Sequence, residues 1–144
     1  MNRIEVLVRQ TQDAYGWTDK LINSIPQTQW DNVPDIVESS VSWQTGHLVV
    51  SLYFHSIMAM VGHQMDLLHK LPLRDYDSLF TNGHPKKAVG KVRPEQLRNH
   101  LTLMQQRSIA VIGDLAESEL KVHCRQPKYR IPLPKINLKP LTGI

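Results

Sequence analysis

From the start of the chain, apolar and small residues recur at helical spacing. Ile4, Leu7, Val8, Thr11, Tyr15, Leu21, Ile22 and Ile25 follow the i, i+3, i+4, i+7 rule, with Arg3, Glu5, Arg9, Asp13 and Asp19 largely off the stripe. This predicts a helix over about 2–25, ended by Pro26. Gly16 inside it costs about 1 kcal/mol against alanine, which marks it as a point of close packing. After a connection holding Pro26 and Pro34, Ser39 or Ser40 offers a cap for a second helix over about 40–63. Its stripe is Trp43, His47, Val50, Phe54, Ile57 and Val61, and Leu48, Leu52 and Ala59 cover other faces. A helix apolar on several sides belongs in the middle of a bundle or at a dimer seam. Pro72, Asn82-Gly83, Pro85 and Gly90 break the period over 66–93, leaving one helical turn at Tyr76–Phe80. A third helix, about 94–118, opens with Pro94 at its first position and Glu95 in its first turn, with Leu97, Leu101, Met104, Ser108, Val111 and Leu115 as its stripe. Pro127, Pro132, Pro134 and Pro140 then predict an extended arm over 122–144, laid across the bundle through Tyr129, Ile131, Leu133 and Ile136.

Composition narrows the classes. A chain of 144 residues with 41% hydrophobic and 21% charged content predicts one domain with its own core. One cysteine excludes a disulfide framework and a multi-cysteine zinc site, and points to a reducing, cytoplasmic setting. Arg3, Glu5 and Arg9 in the first turns argue against a secretory leader. Nothing between Glu38 and Asp66 is formally charged, yet Ser, Thr, Gln and His recur through that stretch, so no membrane span is expected. The net charge of +4 divides unevenly: residues 1–119 sum to −2 and residues 120–144 to +6. A basic tail without stacking aromatics on the folded body serves solvation more often than nucleic-acid binding, which is not expected here.

Among residues that carry chemistry, His47 stands out. On the stripe with Trp43, Val50 and Phe54 its imidazole should turn into the bundle, where each ring nitrogen needs a partner or a metal. Taken alone, such a histidine is more often satisfied by a backbone carbonyl or water than by an ion. His55 and His63 swing off its face, and no H-x-x-x-H pair occurs anywhere. Cys124 beside His123 reads as an inert thiol, and Asp75 with Asp77 as a solvated loop cluster, paired on one face only if the loop is extended.

The run Ser42-Trp43-Gln44-Thr45-Gly46-His47-Leu48-Val49 resembles the second-helix signature of the DinB/YfiT-like superfamily, in which Trp, a small residue and His-Leu precede an apolar helix. Tyr53-Phe54-His55-Ser56 and the helix start Pro94–Leu101 look similar too, and the likeness covers about residues 1–125. It implies an all-α, DinB-like four-helix bundle, commonly a homodimer, here with three long helices plus the Pro-rich arm. It further implies a divalent metal, zinc or nickel, held by one histidine of the second helix, which His47 matches, and an H-x-x-x-H pair on the fourth. Such a protein would be a metal-dependent hydrolase or thiol-adduct transferase acting on a small-molecule substrate, with the ion as Lewis acid or activator of bound water or thiol. The H-x-x-x-H helix is absent from this sequence, so the expectation is a single domain over 1–144, incomplete at its C-terminus, with a groove open beside Trp43, Val50 and Phe54. The rival expectation is a non-catalytic dimerisation or interaction module that has lost the metal site.

Overall fold

The computed structural model describes residues 1–123, so the expected arm lies outside the described residues except at its first two positions. Helix α1 runs Arg3–Asn23. It begins there because Asn2 and Glu5 close a capping box: the Asn2 side chain accepts the Glu5 N–H at 2.9 Å and the Glu5 carboxylate accepts the Asn2 N–H at 3.0 Å. Helix α2 starts at Val41, capped by Ser40, whose hydroxyl accepts the Trp43 N–H at 3.0 Å. Its α-helical part, Val41–Ser51, continues as a π-helical stretch, Leu52–Met58, and then Ala59–Val61. Gly62, at φ +80°, stops it in a conformation that side-chain-bearing residues rarely adopt.

The long interrupted region is more ordered than its turn signals suggest. It forms α3 (Met65–Lys70), α4 (Leu73–Phe80) and α5 (Pro85–Ala88), which bury Leu67, Leu73, Tyr76, Phe80 and Ala88. Pro72 and Pro85 open helices here rather than break them, since a proline at a helix start loses no needed N–H. Helix α6 spans Pro94–Gly113 and buries Leu97, Leu101, Met104, Ser108 and Val111 as its period demands. It stops five residues short of the expected end, and a separate α7, Glu117–His123, follows. The Glu117 carboxylate accepts the Arg3 N–H at 2.8 Å, tying α7 back to the first turn of α1. Val122 and His123 therefore end a helix rather than begin the extended arm.

Helix α6 packs against α1 on one side and α2 on the other, and α2 also packs against α4. The α1–α6 seam is largely polar: Tyr15 and Ser108 share a hydrogen bond of 2.7 Å, Gln105 donates to Asp19 at 2.8 Å, and Arg98 pairs with Asp19 at 3.3 Å. The α2–α4 and α2–α6 contacts are apolar and bury Val49, Tyr53, Phe80, Leu97 and Leu101. No strand occurs among the described residues, and no helix there is long and apolar enough to cross a membrane.

The buried face of α2 keeps Val50 and Ile57 of the expected stripe and departs from it at the other positions. Ser42, Thr45, Gly46, Val49 and Tyr53 are buried, Trp43, His47 and Phe54 are half-buried, and Val61 is exposed. The small residues make a close contact with α4: a Cβ on Gly46 would overlap Cγ and Cδ2 of Phe80. Past Ser51, the i→i+5 bonding of the π-helical stretch also rotates later residues away from the positions that 3.6 residues per turn assigns them. Gly16, by contrast, has nothing within 4 Å of where its Cβ would sit, so the described chain supplies no close packing there.

Candidate functional site

His47 stands at the edge of α2 rather than turned into the core, and the C-terminal turn of α4 holds it. Its Nδ1 lies 2.8 Å from the Phe80 carbonyl oxygen. A carbonyl only accepts, so Nδ1 carries the proton and donates. The Thr81 hydroxyl lies 3.5 Å from the same nitrogen. The imidazole stacks on the Trp43 indole, with centroids 5.0 Å apart and planes 5° from parallel. Trp43 is fixed in turn by its indole N–H, which donates to the Gly83 carbonyl at 3.0 Å. Both rings are therefore anchored to main-chain oxygens of the segment 80–83, which the Gly46–Phe80 contact presses onto α2. In the tautomer with Nδ1 protonated, Nε2 carries the lone pair, and its partner is the Ser51 hydroxyl one turn on, at a long 3.4 Å.

That is how a metal-ligating histidine is held: one ring nitrogen bound to a carbonyl, the other presented. Among the described residues no three His, Cys, Asp or Glu side chains are placed to hold an ion. His55 and His69 are exposed. His63 meets the Tyr53 hydroxyl at 2.9 Å, and His84 accepts the Lys86 N–H at 3.2 Å within its own helix cap. Asp75 and Asp77 sit two apart on α4, which is a helix rather than an extended loop, so they point away from each other. Cys124 lies outside the described residues. Among the described residues, then, no donor set for an ion is assembled around His47.

The open groove is also not where the pattern predicts it. Val50 is buried, and a cavity of about 490 Å³ lies between α1, α2 and the segment joining them, with no residue of α6 in its lining. Leu21, Ile25, Val37, Val41 and Leu48 give it an apolar lining. Gln44 on its rim stands about one turn before His47 on α2.

Spacing gave no sign of a second histidine contact. The Tyr76 hydroxyl meets His100 Nδ1 at 2.7 Å, 24 residues apart, joining α4 to α6. Burial pushes the Tyr76 phenol up to about 12 and pushes His100 below its ordinary value, in both cases because the charged form is poorly solvated there. On the surface, a hydrogen bond from Arg107 lowers the Asp66 carboxyl and ties α3 to α6.

A model of the DinB superfamily matches residues 10–139. No curated protein and no solved structure gives a match.

Proposed function

The chain belongs to the DinB superfamily, and on that premise we propose that it is a metal-dependent protein acting on a small molecule, with Nε2 of His47 as one donor to a divalent ion, zinc or nickel. One observation carries the reading: the 2.8 Å bond from Nδ1 to the Phe80 carbonyl fixes the ring and leaves Nε2 presented. The stacked Trp43 restricts the ring's rotation, so the nitrogen is aimed before any ion arrives. Residues 1–123 contribute this one position, and the further donors come from outside them. The apolar groove between α1 and α2 suits the hydrocarbon part of a small substrate.

A second reading is a non-catalytic interaction module, and the lack of a three-donor cluster among the described residues favours it. Titration of the intact chain with zinc and with nickel, against a chromophoric chelator, separates the two. One ion per chain, with affinity reduced about 100-fold or more by His47→Ala, supports the metal reading. Absence of stoichiometric binding, or binding that His47→Ala leaves unchanged, overturns it in favour of the second.

A further inference from the structure

The imidazole of His47 is aimed by a carbonyl, so whatever fixes that carbonyl fixes the ring. Phe80 is the last residue of α4, and its carbonyl is one of the four that a helix leaves without an internal partner. His47 Nδ1 takes it up at 2.8 Å. With eight residues, α4 is too short to hold its own shape and place, which depend on what its side chains grip. Towards α2, the Phe80 ring lies against Gly46. Towards α6, the Tyr76 hydroxyl one turn earlier meets His100 Nδ1 at 2.7 Å. The Tyr76 and Phe80 rings touch edge to face, with centroids 5.3 Å apart. A line of contacts thus runs from His100 on α6 through Tyr76 and Phe80 on α4 to His47 on α2.

We propose that Tyr76 and His100 are positioning residues for His47: their hydrogen bond fixes α4 against α6 and so holds the Phe80 carbonyl where the Nδ1 proton of His47 meets it. Apolar packing is non-directional and alone would let a two-turn helix slide. A hydrogen bond is not so tolerant, and a shift of about half an ångström takes one out of its range. The Tyr76–His100 bond also has one favoured sense. Tyr76 is buried and its hydroxyl has no second partner among the described residues, so its hydrogen goes to His100 Nδ1, which accepts while Nε2 carries the ring proton. Burial keeps both groups in the forms this needs, the phenol protonated and the imidazole neutral. No carboxylate pairs with the His100 ring among the described residues, so nothing there competes for it. The inference rests on the preceding reading for the importance of His47, and on none of its claims about an ion.

Nitrogen NMR of the metal-free intact chain, carrying isotopically labelled histidine, reads the tautomer of His47 directly. The parent should hold the Nδ1–H form. Tyr76→Phe keeps the ring and removes the bond, and should lower the ratio of Nδ1–H to Nε2–H form about fivefold or more; His100→Leu should do the same. His100→Asn should return the ratio to within about twofold of the parent, because the asparagine amide oxygen stands as many bonds from the backbone as Nδ1 and accepts the phenol hydrogen. Tyr15→Phe is the control. It deletes a phenol bond of the same 2.7 Å, to Ser108 on the α1 seam of α6, so it weakens the fold comparably and should leave the ratio unchanged. A parent chain whose His47 is not protonated at Nδ1 overturns the proposal. So does a ratio that Tyr76→Phe leaves unchanged, that Tyr15→Phe lowers as far, or that His100→Asn fails to restore. A chain that binds neither zinc nor nickel overturns the metal reading alone and leaves this result standing.

Discussion

Replacing Gly46 by alanine puts a methyl group where the Phe80 ring already lies. The added Cβ would overlap Cγ and Cδ2 and stand 2.7 Å from Cε2. The ring has no room to retreat: Phe80 is fully buried and meets Tyr76 edge-to-face at 5.3 Å. Helix α4 must therefore slide off α2, at the cost of about 1–3 kcal/mol typical of an overpacked core. Alanine recovers about 1 kcal/mol as the better helix former, so the net loss should be about 0–2 kcal/mol. Urea denaturation followed by circular dichroism reads this as a lower midpoint at unchanged slope. The same shift moves the Phe80 carbonyl away from His47 Nδ1, so the proton shared along that 2.8 Å bond should change its NMR signature. Gly16→Ala is the internal control. Nothing lies within 4 Å of that position, and the same substitution there should stabilise by about 0.5–1 kcal/mol. If the two variants shift stability in the same direction, the account of α2 packing is wrong.

Two further expectations concern buried polar groups. Ser42 is buried and its hydroxyl has no hydrogen-bond partner, so Ser42→Ala should leave stability unchanged or raise it by about 1 kcal/mol; a loss above that in the same urea assay would show that the hydroxyl is satisfied. His100 is depressed in the fold below its ordinary 6.5, so the unfolded chain binds its proton more readily. Its contribution is then present above pH 6.5 and is lost as pH falls from there through the folded value, and His100→Gln should flatten the decline in stability below pH 6.5. Parallel pH profiles for parent and variant would refute that assignment.

What the sequence made legible follows from what each element depends on. The start of α1 and the whole burial stripe of α6 were readable because they rest on local signals: the Asn2–Glu5 box, Pro94 at a helix start, and five turns of unbroken period. The face of α2 was not. Counting apolar residues favours Trp43 and Phe54 over Ser42, Thr45 and Gly46, yet the small residues win the interior because the Phe80 ring, 34 positions later, needs the space that Gly46 leaves. Helices α3, α4 and α5 run four to eight residues, too short for a period to declare itself, and their prolines read as breaks although they open helices.

His47 shows how far the same reasoning reaches into a site. Its composition posed a definite question: a ring in that position needs two partners, or one partner and an ion. No pattern in the chain could reveal that the first partner is the carbonyl of Phe80, since every residue carries a carbonyl and only the α2–α4 contact selects this one. That bond alone decides nothing, because an ordinary structural histidine and a metal ligand both make it. The difference lies entirely at Nε2. A structural histidine would satisfy that nitrogen at normal hydrogen-bonding distance, as Tyr76 satisfies His100 Nδ1 at 2.7 Å; here the Ser51 hydroxyl stands off at 3.4 Å on a half-buried ring. The acceptor that the fold leaves poorly met is the same atom to which the proposed ion would bind, which is why the choice between enzyme and interaction module turns on this nitrogen and not on the bundle around it.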